Sequence, residues 1–295
     1  MTGVVIINKP KGITSFGVVA RLRRILGEKK IGHSGTLDPM ATGVMTVMLG
    51  GATRFCSLLP DSNKAYTGVF RLGVVTDTLD ITGKVLETRP VAANFDDVLS
   101  ASRAFKGEIT QLPPMYSAVS VGGKRLYELA REGIEIEREE RNALVYLFDI
   151  TPGDAENEYK FYVECSGGTY IRSIVSDLGE ALGCGAVLTE LNRVKANGFT
   201  IEQAADLPDF DDEEGKEALR QKILPTDFAL KKYPALTVTG AQAIRFHNGG
   251  ELSLDRLKDC GAAGYYRVYS PSGEFLGVGN NDGDSLKVER VFNEI

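Results

Sequence analysis

The densest set of reactive side chains in this 295-residue chain is the string Gly32-His33-Ser34-Gly35-Thr36-Leu37-Asp38-Pro39-Met40-Ala41-Thr42-Gly43. It holds one of only two histidines and an aspartate fixed between Leu37 and Pro39. The prolyl ring disfavours helical geometry at Asp38, and the glycines permit turns that side chains forbid, so the string reads as an ordered loop. Val44-Met45-Thr46-Val47-Met48-Leu49 follows as a nearly unbroken apolar run, suited to a buried strand. A carboxylate on a loop anchored in this way is held rigidly enough for nucleophilic or acid–base work. The competing reading is that Asp before Pro starts a turn and nothing more.

Two further segments carry candidate groups. Ser166-Gly167-Gly168 breaks a strand, and Ile171, Ile174, Val175, Leu178 and Leu182 then mark one face of a helix ending at Gly183. Thr169 is placed to cap it, and Tyr170 and Arg172 fall in its first turn. An arginine there opposes the helix dipole, so it needs an anionic partner or solvent. Tyr66 shares one face of an alternating strand with Gly68, Phe70 and Leu72, where a tyrosine ring ordinarily packs into a core. Leu191, in Leu191-Asn192-Arg193, would pass as ordinary core.

The rest of the chain supplies elements to hold these groups. Val4-Val5-Ile6-Ile7 predicts a buried strand, and Asn8-Lys9-Pro10-Lys11-Gly12 a turn. Ser15 is placed to cap a helix whose apolar face is Val18, Val19, Leu22, Ile25 and Leu26, stopped by Gly27. A strand starts at Lys64, a polar turn covers 76–80, and a second strand covers 84–88. Asn94 caps a helix closed by Gly107; an extended segment over 111–118 and a short helix around Leu126, Tyr127 and Ala130 come next. Strands are expected at about 134–138, 142–150 and 158–165. Asp206 to Glu217 is acidic and reads as a solvated linker, and short strands with glycine-rich turns fill the chain after Pro234.

Composition narrows the function. Cys56, Cys165, Cys184 and Cys260 are scattered singly, so neither a disulfide framework nor structural zinc is expected. No apolar run approaches the roughly 18 residues of a membrane span, and no signal peptide is evident, so a cytoplasmic protein is expected. The formal net charge of -6 hides an asymmetry: residues 1–64 carry nine Lys/Arg against three Asp/Glu, a net of +6. A basic region on an acidic protein suits site-specific RNA binding, although ordinary surface charge would give similar counts.

GHSGTLDPMATG with GGATRF at 50–55, IINKPKGITSF, KAYTGVFRLGVVTDTLD, QLPPMYSAVSVGGKRLYELAREG and CSGGTYIRSIVSDLGEALGCGA together resemble the motifs of the TruB-type pseudouridine synthases, in the family's order. The resemblance implies isomerisation of uridine 55 in the T-loop of tRNA, by a base-flipping mechanism in which Asp38 is the catalytic residue. It implies that Arg172 pairs with Asp38, that Tyr66, Tyr170 and Leu191 line the uracil pocket, and that His33 wedges against flipped-out nucleotides. Lys64, Arg21, Arg24 and Lys29 are expected to contact RNA. The expected partner is the tRNA T-arm and T-loop, with no membrane and no obligatory protein partner, and no metal or other cofactor is expected. Gly167 departs from the family, which commonly has lysine there. The expected fold is α+β: a mainly antiparallel sheet flanked by helices over 1–205, extended to about 232 by an acidic linker and short helices. A small PUA-like β-barrel is expected over 233–295. A non-catalytic RNA-binding protein or tRNA-folding chaperone, and an aspartate-nucleophile hydrolase, are the other classes that would use these residues.

Overall fold

A computed structural model describes residues 1–293. The first half of the chain runs β1 (Gly3–Lys9), α1 (Ser15–Leu26), β2 (Ile31–Ser34), β3 (Thr42–Leu49), β4 (Lys64–Leu72), β5 (Val74–Thr76), β6 (Val85–Thr88), α2 (Phe95–Ser102) and β7 (Gly107–Gln111). The small hairpin β8 (Ser120–Val121) and β9 (Lys124–Arg125) leads into α3 (Leu126–Arg131). Then come β10 (Arg141–Pro152), β11 (Glu158–Cys165), α4 (Ile171–Ala181), β12 (Ala186–Ala196), β13 (Phe199–Thr200), β14 (Ala205–Asp206) and α5 (Glu213–Gln221). The carboxyl-terminal part holds β15 (Ala235–Thr237), α6 (Gly240–His247), β16 (Leu252–Ser253), β17 (Gly264–Tyr269), β18 (Phe275–Asn281) and β19 (Ser285–Val291).

Ten strands form one mixed sheet in the order β14-β1-β3-β12-β4-β11-β10-β7, with β2 added to β3 and β13 to β12. Most pairings are antiparallel; β14 with β1 and β12 with β3 are parallel. The important junction is at β3. Its first residues, Thr42 and Gly43, face Asn192 and Arg193 of β12, while Thr46–Leu49 face β2. Two strands thus share one edge of β3, and the loop over 35–41 leaves the sheet where they diverge. Gly43, at φ +105°, is required there: a Cβ would overlap the Arg193 carbonyl oxygen and the Asn192 side chain. Gly43→Ala should therefore destabilise the protein by about 1–3 kcal/mol, the usual cost of overpacking a tight contact. The check is the midpoint of denaturant unfolding, and a parent-like midpoint would contradict it.

Helices cover the sheet through apolar stripes. Val18, Val19, Leu22 and Ile25 of α1 pack on Val5, Ile7, Met45 and Val47, while Ile174, Val175 and Leu178 of α4 join Phe70, Val163 and Leu188. Each fully buried aliphatic side chain of this kind contributes about 1.5–3 kcal/mol. The second sheet, β15-β17-β18-β19-β16, encloses Leu236, Phe246, Val268 and Leu286, and Phe55, Leu58, Leu230 and Val278 join it to the first.

Several local expectations are corrected. Thr14, not Ser15, caps α1, accepting from the Gly17 amide at 2.9 Å, because Ser15 is turned inward to the Asp38 loop. Residues 134–138 form no strand; strand pairing resumes at Arg141. Gly32, His33 and Ser34 belong to β2, which shortens the loop. Thr169 does not cap α4; its hydroxyl donates to the Ser166 carbonyl instead. The acidic stretch is not a free linker: Leu207, Phe210 and Leu219 pack on the α1 cluster, and β14 lies beside β1. Apolar residues spaced among acids kept that packing out of view. A capping box at Thr239 and Gln242 starts α6, which strand periodicity alone does not suggest.

Candidate active site

Asp38 sits on the loop that leaves the fork between β2 and β12, and buried polar groups hold that loop. The Ser15 hydroxyl donates to the Leu37 carbonyl at 3.0 Å and accepts from the Leu37 amide at 2.8 Å. The Gly12 amide donates to Pro39 O at 2.7 Å. Lys9 and Arg193 are both 0% exposed. A buried cation is tolerable only when hydrogen-bonded, and both are. Lys9 Nζ donates to Ile13 O at 2.7 Å, Pro10 O at 2.9 Å and Pro39 O at 3.4 Å. Arg193 donates to Val44 O at 2.7 Å, Gly35 O at 3.1 Å and Thr36 O at 3.3 Å. Burial pushes the Lys9 ammonium down to about 8.

Across this loop stands Arg172, the second residue of α4 and 5% exposed. Its Nε lies 2.9 Å from Asp38 Oδ2 and its Nη2 3.0 Å from Oδ1, the two-pronged geometry that suits guanidinium to carboxylate. The anionic partner that a first-turn arginine needs is thus Asp38. Its other donors reach Thr78 O at 2.9 Å and Tyr116 O at 2.8 Å. Asp80 Oδ2 stands 3.9 Å from Arg172 Nη1, while Asp80 Oδ1 is held by the Thr82 amide, the Thr82 hydroxyl and the Thr78 hydroxyl. Removal from water pushes the Asp38 pKa above the ordinary carboxylate value, with Asp80 adding to the rise; Arg172 is the largest opposing influence. About a third of the Asp38 side chain, 32%, still faces open space.

That space is a cavity of about 330 Å³ lined by Asp38, Lys64, Tyr66, Tyr170, Arg172 and Leu191, with Ser117 and Ala118 also in its wall. Six residues from four distant segments, each singled out by sequence, therefore meet. The hydroxyl of Tyr66 is pushed up to about 12 by burial, so at neutral pH the ring offers a face and a proton rather than a phenolate. Burial lowers Lys64 to about 8. A larger hollow of about 670 Å³ shares Leu191 and is lined by Thr67, Lys160 and Glu190, away from the Asp38–Arg172 pair.

Four expected site residues are not in the cavity wall. His33 lies on β2 opposite Val47, half-buried, with its pKa lowered mainly by burial. Arg21 pairs with Asp209 at 3.0 Å, Arg24 lies over the Phe210 ring at 4.2 Å, and Lys29 is exposed beyond α1. Sequence reasoning missed Lys9, Asp80 and Arg193. A lysine closing an apolar strand and an arginine inside one were the available signals. Gly167 packs on Ser62, whose carbonyl oxygen would lie 3.1 Å from a Cβ; a lysine there requires that neighbour to give.

Solved structures define the class. Over 99% of this chain and 85% of theirs, the fold matches the structure titled a Cbf5-Nop10-Gar1 complex at TM-score 0.73 and 27% identity. It also matches an H/ACA RNP bound to a substrate RNA containing 2'-deoxyuridine, at TM-score 0.72 and 25% identity. Family models then narrow the class: the TruB family pseudouridylate synthase N-terminal domain matches residues 23–171, and the tRNA pseudouridylate synthase B C-terminal domain matches 172–231. The relative from Clostridium kluyveri called tRNA pseudouridine synthase B is 41% identical over 99% of this chain and all of its own length. Its namesake from Saccharophagus degradans is 43% identical over 94% of this chain and 91% of its own. The chain belongs to the TruB family of pseudouridylate synthases.

Proposed function

We propose that this protein isomerises uridine 55 in the T-loop of tRNA to pseudouridine, with Asp38 as the catalytic carboxylate. The observation that carries the reading is the Asp38–Arg172 pair facing a cavity that Tyr66, Tyr170 and Leu191 complete. The reaction breaks the bond from uracil N1 to ribose C1′, forms one from C5 to C1′, and moves the C5 proton to solvent while N1 gains one. No electron changes hands and no group is donated. The uridine leaves the loop's stack at a cost of a few kcal/mol, and an aromatic face such as Tyr66 returns about 1–3 kcal/mol. Arg172 holds Asp38 charged and oriented, and Lys9, Ser15 and Arg193 keep its loop from shifting. Leu191 and Tyr170 close the base in. His33 contacts the nucleotides displaced with it. No helix among the described residues is long and apolar enough to cross a membrane, and a tRNA substrate supports a cytoplasmic reading. The sheet over 235–291 serves as the PUA-like RNA-binding domain.

An aspartate-nucleophile hydrolase would need a second acid free to activate water. Asp80 is near but buried, and its Oδ1 is already taken by Thr78 and Thr82. A tRNA transcript tritiated at uridine C5 tests the reading. Label should pass to water, and replacing uridine 55 by cytidine should abolish the release. Retention of label in the parent transcript would overturn the assignment.

Phosphate binding supplies a second test. Arg21 and Arg24 are engaged with the acidic segment, which leaves Lys29 and Lys30 exposed and Lys64 in the cavity wall. Neutralising all three with glutamine should weaken tRNA binding and reduce the slope of log K against log salt by about one for each phosphate no longer neutralised. An unchanged slope would show that none of the three meets phosphate.

A further inference from the structure

Ser117 and Ala118, at the end of the segment 111–118, line the cavity, yet the segment lacks regular structure after β7 ends at Gln111. What seats it is a set of bonds to the first turn of α4. Gln111 is 3% exposed. Its Oε1 accepts from the Tyr170 amide at 3.0 Å and its Nε2 donates to the Tyr170 carbonyl at 3.1 Å. The two bonds are reciprocal, so they also fix which way the amide faces. Tyr170 is the residue that starts α4, and no side chain of its own region caps it. Further along the same turn, Ser173 Oγ donates to Leu112 O at 3.1 Å. At the far end of the segment, Arg172 Nη2 donates to Tyr116 O at 2.8 Å with the same nitrogen that reaches Asp38 Oδ1.

The guanidinium that grips Asp38 is therefore partly held by this segment, and Gln111 is one of the groups that tie the segment to α4. We propose that Gln111 is a positioning residue for the reaction: by clamping the backbone of Tyr170 it seats residues 112–118 on α4 and keeps Arg172 in register with Asp38. Without the clamp the segment keeps its bonds from Ser173 to Leu112 O and from Arg138 to Pro113 O but loses its tie to Tyr170, so Tyr116 O is less firmly placed and the Arg172 bond to it is weakened. A carboxylate gripped less squarely is both less well aimed and less well kept in its charged form. Gln111 does not itself line the cavity, so it reaches the chemistry only through the groups it seats, Arg172 by way of Tyr116 O and the backbone of Tyr170.

The inference rests on Asp38 being the catalytic carboxylate, which tritium release by the parent and its loss in Asp38→Asn establish separately. The test compares Gln111→Met, of similar length but unable to make either bond, with the parent in single-turnover and steady-state assays. Expected are a fall in kcat of about a hundredfold, the scale of a small misplacement, and a KM within about threefold of the parent, because uniform binding is not what is lost. The acidic limb of the kcat–pH profile should also move to higher pH. Arg172 from α4, Asp80 from the 76–80 turn and Lys9 from β1 act on Asp38, with Tyr66 and Lys64 of β4 beside it in the cavity wall. Of these only Arg172 is disturbed by the substitution. The double variant Gln111→Met/Arg172→Lys should lose less than the product of the single losses. A parent-like kcat overturns the proposal; so does a loss that leaves the acidic limb unmoved and multiplies with Arg172→Lys, since the clamp would then serve folding alone. Should Gln111→Met fail to fold, Gln111→Glu keeps the acceptor for the Tyr170 amide, loses the donor, and carries the same pair of outcomes.

Discussion

Asp38→Asn should bind tRNA with nearly the parent affinity and release no tritium from uridine C5. Affinity is expected chiefly from phosphate contacts spread over the protein, whereas in the proposed reaction Asp38 meets only the inserted base. Asparagine matches aspartate in shape, so the loop held by Ser15, Lys9 and Arg193 stays in place. What disappears is the charge, and the amide nitrogen confronts Arg172 donors that need an acceptor. A loss of at least about 10⁴-fold is expected, in the range seen when the central group of a catalytic unit is removed. Filter binding and tritium release on the same preparation separate the two effects. Turnover within tenfold of the parent would remove Asp38 from its role.

The second large effect belongs to Arg172→Ala. The substitution leaves Asp38 desolvated without its bidentate partner, and breaking a buried pair costs about 3–5 kcal/mol unless the acid takes up a proton. Burial already pushes the Asp38 pKa up, and Arg172 is the largest influence pulling it down, so the variant's pKa rises further. The proposed reaction needs the ionised form. Residual activity should therefore fade, as pH drops, at a higher pH than in the parent. Stability follows the opposite course: with its folded pKa above the unfolded one, the contribution of Asp38 to the variant's stability is fully present below the unfolded pKa and is lost as pH rises through the folded value. Arg172→Lys restores a charge but not the planar fork, nor the reach to both Thr78 O and Tyr116 O, so partial rescue is expected. Parent-like rates in Arg172→Ala, or an unmoved acidic limb in its pH profile, would defeat the role given to the pair.

Much of this site is legible in the chain because it depends on neighbours in sequence. Pro39 and Gly35 mark a loop around Asp38, although its ends at 35 and 41 are set by β2 and β3, alternation along 64–72 turns Tyr66 toward the helix-covered face, and Gly27 stops α1 in a left-handed turn. Family motifs add roles to these positions. The pairing of Asp38 with Arg172, 134 residues later, was expected from family motifs, but its bidentate form and the contacts to Thr78, Tyr116 and Asp80 depend on through-space placement. The same holds for Lys9 and Arg193. As residue types they belong at the surface, and their spacing says nothing of burial, yet the parallel contact of β12 with β3 brings Arg193 beneath the loop and β1 brings Lys9 to its other side. The acidic segment reads as solvated because its charges dominate its composition, while Leu207 and Phe210 within it and Leu219 just beyond decide its place on α1. Local preference is a property of a few successive residues, and the sequence alone determines it. Which carbonyls satisfy a buried cation, and which carboxylate an arginine meets, is decided when strands from opposite ends of the chain pair, because only then is water removed from both.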